Sequence, residues 1–575
     1  MYITDLSQCT PRSALSEEMA QGRWQTIPYE TCDEEPGKGV MLGAPSFVDA
    51  PEVRLRLNVS GWHSVYIGFW SFHYDYDQTG TRIRVKLDDD PAFVQINEPQ
   101  PKMGDTHFGG VFLREAFFRT ADLGGRDLIL GKLGGPCGRK AYIAYVKLVP
   151  LGEEEVASLQ KQRSTTDARI LQCSIDGSSY MWGDEYKSRE QLLELVEKFR
   201  YSNFEKLFWA CSYGDQTNYP SQTGVFLGCE AQVPIPAVPV NNNSVACEEF
   251  GRQAWNELAA KGLIPQEVVG DYVHQMGLKF DAMFRLGILG YLPGQRKMAG
   301  KRRFVQAHPQ FRQVTKHGAP VEQASYAYPE VRAFVLSIIQ ESMERFPFDG
   351  ANLCFRRGPQ FMRYEAPVME DFREEYGEDG RGVGFDDPRM ERIRCRYLTE
   401  FVRDTRRLLD AIGHKKRKRL ELSVMVYRDT GRNRSCGFDV EAWLAEGLLD
   451  SILALDETGY SILPPEENRD RFSPELVDAA RANNCKLICF SQLGYLGPAA
   501  LARDLLWGHE AGCDGFGVWD IGDPVTNAFW RDVFSRVGDR AALESFVENP
   551  PQQRTVQLKT VGGCDVLELA VYSGG

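Results

Sequence analysis

YPEVRAFVLSIIQESMERFPFDGANLCFRRGPQFMRYEAP, residues 328–367, is the stretch from which the fold is read. Val331, Phe334, Val335, Ile338 and Ile339 recur at helical spacing, so residues 331–346 form a helix with one apolar face. Pro347 stops that helix, and Asp349-Gly350 makes a turn. Ala351 to Phe355 follows as a short buried strand, opening into Arg356, Arg357, Arg363, Tyr364 and Glu365 around Gly358-Pro359. A strand that runs from its own helix into clustered charge and aromatics is how a barrel enzyme places its active site.

The same alternation extends on both sides. Candidate strands lie at 170–176, 206–212, 279–287, 351–355, 420–427, 451–456, 486–491 and 515–520. Helical patterns separate them at 188–201, 244–262, 388–412, 473–484 and 498–512, with another at 527–538 after the last strand. Long excursions occupy 213–243 and 288–328. Eight strands alternating with helices predict an α/β chain whose residues 169–545 form a (β/α)8 TIM barrel. Before it, residues 1–150 are short β-rich runs broken by Gly, Pro, Asp and Asn, which predicts an all-β sandwich. Residues 151–168 are a polar linker, and 546–575 return to strand character as a C-terminal β appendage.

The order YPEVR, helix, FPFDGANLCFRRGP resembles the glycosyl-hydrolase-like barrels described as family-10-like glycosidases, whose pattern runs roughly YPEVR, a helix, then DGIHLDYxRYP. Asp349, Gly350, Leu353, Arg357 and Pro359 match that pattern. Its His falls on Asn352, and its strand-end Asp, a favoured catalytic candidate in such barrels, falls on Cys354. AYIAYVKLVPL, residues 141–151, resembles the closing strand of galactose-binding-like jelly rolls. The resemblance implies a glycosidase, with polysaccharide degradation and carbohydrate metabolism as its setting.

Barrel enzymes gather their chemistry at the C-terminal ends of the strands. Those ends carry Asp176, Asp215, Arg285, Cys354, Arg356, Arg357, Glu365, Arg428, Asp429, Asp456, Glu457, Trp519 and Asp520. Glycoside hydrolysis needs two carboxylates, so Asp456, Glu457 and Asp520, with Asp176 next, are the acid/base candidates. Arg356, Arg357 and Arg363 suit paired hydrogen bonds to a polar or anionic glycan. Trp519, Trp182 and Tyr364 suit stacking on a sugar ring, and Arg285, Asn352 and Glu365 complete the expected substrate contacts. By strand parity Asn352, Cys354 and Arg356 point into the barrel and Ala351, Leu353 and Phe355 point to the helices. Cys354 has four readings: inert packing, a thiolate nucleophile, a metal ligand, or the site of a lost Asp in a non-hydrolytic carbohydrate-binding barrel. A barrel lyase or isomerase acting on a sugar acid is a further alternative.

The net charge of −13 argues against a nucleic-acid partner, which wants a basic face, and fits action on neutral or locally recognised small polar substrates; the resemblance implies that the substrate is a carbohydrate. HKKRKR at 414–419 reads as one solvated turn. No run approaches the ~20 apolar residues of a membrane helix. The 14 Cys are scattered with no CxxC pair, many of them (Cys173, Cys211, Cys354, Cys489) inside apolar runs, and MYITDLSQCT lacks the basic and apolar regions of a secretory signal, so a reducing, cytoplasmic setting is expected. With 8 His and no HxH or HExxH spacing, neither metal nor cofactor is expected. Homo-oligomers are compatible with these readings. Trp62, Trp70, His73, Tyr74 and Tyr76 form an aromatic cluster that suits either sugar stacking or packing.

Overall fold

The structure is a computed structural model. It describes residues 1–71, 81–97, 112–133, 140–164, 171–177, 180–181, 186–228, 245–287, 303–356, 360–455, 472–492, 498–519, 534, 540–549 and 554–566. The chain divides into two compact units, one of Met1–Arg169, Gly183–Asn203 and Gly522–Gly575, the other of Ile170–Trp182 and Phe204–Ile521.

The second unit holds the barrel. Its strands are β1 (Leu171–Ile175), β2 (Phe204–Tyr213), β3 (Lys279–Arg285), β4 (Gly350–Cys354), β5 (Glu421–Tyr427), β6 (Ser451–Leu455), β7 (Lys486–Gln492) and β8 (Gly515–Trp519). Each pairs in parallel with the next, and β8 pairs with β1, so the sheet closes. Helices return the chain between strands. Pro329–Arg345 starts with Pro at its first position, where a missing N–H costs nothing, and buries Val331, Val335, Ile338 and Ile339. Pro388–Lys416 is capped by the Asp387 carboxylate, which accepts from the Arg389 N–H, and ends on Arg417 in the left-handed region.

Alternation sorts the strand side chains. Phe208, Ala210, Met283, Cys354, Met425, Leu453, Ile488 and Phe490 meet inside the barrel. Gly517 is required there, because a Cβ would lie 1.9 Å from the Phe490 ring. On the other face of β4, Phe355 packs at 4.9 Å from Phe438 and 5.5 Å from Trp443, so parity placed this strand correctly. The N-terminal end of the barrel is charged. Lys206 lies 2.8 Å from Asp281 and 2.5 Å from Glu421, and Lys279 holds the other Glu421 oxygen at 2.7 Å. Asp349, before β4, accepts from Phe280 N at 2.9 Å and pairs with His274 at 2.8 Å and Lys418 at 3.1 Å. The Asp-Gly of the quoted stretch therefore ties strands together at the end away from the strand-terminal chemistry.

In the first unit, strands Trp24–Thr31, Lys38–Ala44, Ala141–Pro150, Trp62–Ser71, Phe112–Asp122 and Thr555–Val561 pair antiparallel in that order. Thr555–Val561 also pairs with Trp24–Thr31, so these strands close on themselves. The C-terminal strand is thus built into the N-terminal β unit. A four-stranded sheet, Val53–Leu55, Leu128–Lys132, Arg82–Leu87 and Val94–Asn97, shares a core with it through Val65, Ile67, Phe69, Ile83, Val85 and Phe118. Tyr29, Met41, Leu113, Tyr145, Val556 and Leu558 fill the other side of the closed sheet. Of the aromatic cluster, Trp70 meets Tyr142 edge-on at 5.2 Å and Trp62 lies under Arg163 at 5.5 Å. His73, Tyr74 and Tyr76 lie outside the described residues.

Among the described residues no helix is long and apolar enough to cross a membrane, and no group of His, Cys, Asp or Glu could hold a metal ion. The described cysteines Cys9, Cys32, Cys173, Cys211, Cys354, Cys395, Cys436, Cys485, Cys489, Cys513 and Cys564 are free thiols.

Candidate active site

At the C-terminal ends of β1, β2, β3 and β8 four side chains converge. Asp176 follows β1 directly, and Tyr213 ends β2. The Tyr213 hydroxyl donates to Asp176 Oδ1 at 2.6 Å. Arg285, the last residue of β3, brings Nη1 to 3.7 Å from Asp176 Oδ2. Its guanidinium also lies 4.9 Å from the Tyr213 ring and 5.3 Å from the Trp519 ring at the end of β8. Both the phenol and the guanidinium stabilise the ionised carboxylate over the neutral acid. Asp176 keeps 21% of its side chain exposed and Arg285 11%, so the carboxylate is held from within and open outward. This arrangement provides a fixed anion beside a cation and two aromatic rings, which suits nucleophilic or base chemistry on a polar substrate.

Tyr213 reaches Asp176 because β2 carries a bulge. Ala210 pairs with Met283, but Ser212 pairs with Phe284, so Cys211 is an extra residue. Without it Ser212, not Tyr213, would stand at the inward position that faces Arg285. The sequence reading ended this strand at 212 and passed over Tyr213. The only signal for it is an aromatic immediately before Gly214-Asp215.

The other candidates are placed as follows. Arg356 lies with its guanidinium 3.9 Å above the Tyr427 ring at the ends of β4 and β5. Cys354 is fully buried in the apolar layer, with Sγ 3.9 Å from the Met425 sulfur. Asn352 sits one layer deeper, its amide donating to Ser423 Oγ at 2.9 Å. Arg363 donates from Nε to Gln313 Oε1 at 3.0 Å, and the Tyr364 hydroxyl donates to Val383 O at 3.3 Å. Glu365 is fully buried and accepts from Val314 N at 3.1 Å and from Arg363 N at 2.8 Å. Burial pushes its carboxyl up to about 7 against those donors. Its carboxylate therefore holds the 360–365 loop to the Arg312–Val314 strand and meets backbone rather than solvent. Asp429 caps the helix Thr430–Ser435, Asp215 accepts from Phe304 N at 3.1 Å, and Arg428 donates to Phe490 O at 3.0 Å. Asp456, Glu457, Asp520, Arg357 and Trp182 lie outside the described residues.

No protein-family model matches this chain, and no curated protein matches it. Among solved structures, the glycoside hydrolase domain of PgaB (BpsB) from Bordetella bronchiseptica aligns with a TM-score of 0.39 and 12% identity, over 64% of this chain and 98% of that one. The alpha-L-fucosidase isoenzyme 2 from Paenibacillus thiaminolyticus aligns at 0.38 and 13%, over 66% and 48%. A ruminal GH26 endo-beta-1,4-mannanase aligns at 0.31 and 9%, over 94% and 96%. Likenesses this distant carry no argument about activity, and the barrel stands on its own strand pairings. The chain is an α/β protein with a closed, eight-stranded parallel barrel and an additional β unit.

Proposed function

We propose that this chain is a glycoside hydrolase whose reaction centre is the barrel mouth around Asp176. The observation that carries the reading is the Asp176 carboxylate gripped by Tyr213 and Arg285 beside Trp519, at the strand ends where barrel enzymes work. Contacted by the Tyr213 phenol and the Arg285 guanidinium, Asp176 serves as nucleophile or base. A second carboxylate is required as proton donor, and Asp456, Glu457 and Asp520 are its candidates. Asp520 follows the last residue of β8, the strand that pairs with β1. Guanidinium groups at Arg285 and Arg356 suit a substrate rich in hydroxyls or bearing a carboxylate. The quoted motif supports the same class by resemblance.

One observation favours a second reading, a barrel that binds glycans without cleaving them. Cys354 occupies the strand-end position where the resembling pattern has Asp, and here its thiol lies in the apolar layer of the barrel beside Met425. A glycan-binding array followed by reducing-sugar release from every bound glycan separates the two. Hydrolysis is expected; binding without any release would favour the second reading.

A further inference from the structure

The carboxylate of Asp176 and the phenol of Tyr213 come from different strands, and one buried side chain touches the backbone of both. Asn218 is 0% exposed. Its Nδ2 donates to Gly177 O at 2.8 Å, the residue after Asp176. The same nitrogen donates to Ala210 O, and the Asn218 backbone N–H donates to Cys211 O at 3.3 Å. Ala210 and Cys211 are the bulge of β2, whose carbonyls lose their regular partners when the extra residue is inserted. The Asn218 carbonyl oxygen in turn accepts from the amide of Gln266, which is equally buried. Both Nδ2 protons and the Oδ1 atom are therefore used, and no rotation of the amide satisfies the same groups.

The surroundings leave no slack. A Cβ at Gly177 would lie 2.0 Å from Ala210 O and 2.0 Å from Asn218 Nδ2. Beyond Asn218 the loop is fixed to the helix Pro329–Arg345: the Tyr219 hydroxyl meets Ser342 Oγ at 2.7 Å, and Glu341 accepts from Ser221 Oγ at 2.6 Å and Gln222 N at 2.9 Å. The bulge turns Tyr213 inward, and the Gly177 contact sets where the chain leaves β1.

From this we infer that Asn218 is a positioning residue that sets the Asp176–Tyr213 pair by pinning the β2 bulge and the turn after β1 together, with Gln266 holding its amide in the working orientation. The inference rests on the reading of Asp176 as a reacting group, and it adds a residue that reaches no substrate. A displacement of about 1 Å in a reacting group lowers turnover by roughly 10²-fold.

The test uses the full chain with Asn218→Ala, and Gln266→Met as the milder variant should Asn218→Ala not fold. Each is made in the wild type and in Asp176→Asn. The first readout is the crystal structure of the variant. The expected result is a relaxed bulge and a Tyr213–Asp176 contact opened well beyond 2.6 Å within an intact barrel. The second is turnover of a 4-nitrophenyl glycoside that the wild type cleaves. Asn218→Ala should lower kcat roughly 10²-fold with KM little changed, and Gln266→Met roughly tenfold. Neither should lower the residual rate of Asp176→Asn further, whereas a general loss of structure would lower both backgrounds alike. An unmoved Tyr213–Asp176 contact, or equal losses in both backgrounds, overturns the inference. If the wild type cleaves no glycoside, the function reading fails, and the crystal structure still decides whether Asn218 positions the pair.

Discussion

Replacing Lys206 by Met should be among the most destabilising single changes in the barrel, and its cost should depend on pH. Lys206 is 2% exposed and Asp281 0%, and among the described residues the ammonium at 2.8 Å is the only cation paired with that carboxylate. Glu421 would keep Lys279 at 2.7 Å, so the damage falls on Asp281. Even with Lys206 in place, burial and the nearby Glu421 charge push the Asp281 carboxyl above its ordinary value. Removing one partner of a buried ion pair typically costs about 3–5 kcal/mol. For a domain of this size that is roughly 6–20 °C in Tm. The variant's Asp281 escapes part of the penalty by staying protonated. The folded acid then holds a proton that the unfolded chain releases near pH 4, so stability falls as pH rises from there toward the raised folded value, at about 1.4 kcal/mol per unit. Urea unfolding at pH 5 and pH 8 measures this directly. Lys206→Met should lose more at pH 8 than at pH 5, and Lys206→Met/Asp281→Leu should recover most of the loss. A cost below about 1 kcal/mol at both pH values, or a double variant no better than the single, would refute the reasoning.

Three other outcomes follow from the same geometry. Glu365→Gln removes a carboxyl pushed up to about 7 from 4.5, so up to about 3 kcal/mol of the wild type's loss as pH rises from 4.5 to 7 should be missing from the variant's profile by urea titration. Asp349, held down to about 2 by His274, the Phe280 N–H and Lys418 against the opposing effect of burial, contributes stability that is present above pH 4 and lost as pH falls through 2. Asp349→Asn should therefore cost about 1–2 kcal/mol at pH 7 after solvent screening and almost nothing near pH 2, again read by urea unfolding. Cys354→Ser should keep most activity and lose about 1–2 kcal/mol, because a hydroxyl replaces a thiol in an apolar layer. Native Cys354 should resist iodoacetamide; rapid, substrate-protected alkylation located there by mass spectrometry would make it a nucleophile instead.

The barrel was legible because each strand and helix keeps its own period, and because β4 alternates strictly between the Cys354 face and the Phe355 face. What broke that legibility was long-range or singular. One inserted residue at Cys211 leaves composition and periodicity unchanged, yet it decides that Tyr213 rather than Ser212 faces Arg285. Residues 555–561 read correctly as strand, but their double pairing with 112–114 and 29–31 depends on partners more than 400 residues away. Glu365 shows the opposite failure. A carboxylate among arginines and a tyrosine reads as a binding group, while its actual partners are the Val314 and Arg363 backbone N–H groups, which carry no residue signature. Asp349, read from the sequence as part of a turn, instead accepts from the Phe280 N–H and pairs with His274 and Lys418 at the N-terminal end of the barrel. Asp176 was singled out by position alone, as the residue ending the first strand, and the contacts that the structure adds, Tyr213 and Arg285, come from two other strands.

The most direct test is the ratio of kcat/KM for Asp176→Asn and wild type on one glycoside that the wild type hydrolyses. The amide keeps the size and the Tyr213 contact while removing the negative charge. The account predicts a fall of about 10²–10⁴-fold with an unchanged circular dichroism spectrum and melting curve. A variant that hydrolyses the glycoside at the wild-type rate would contradict it.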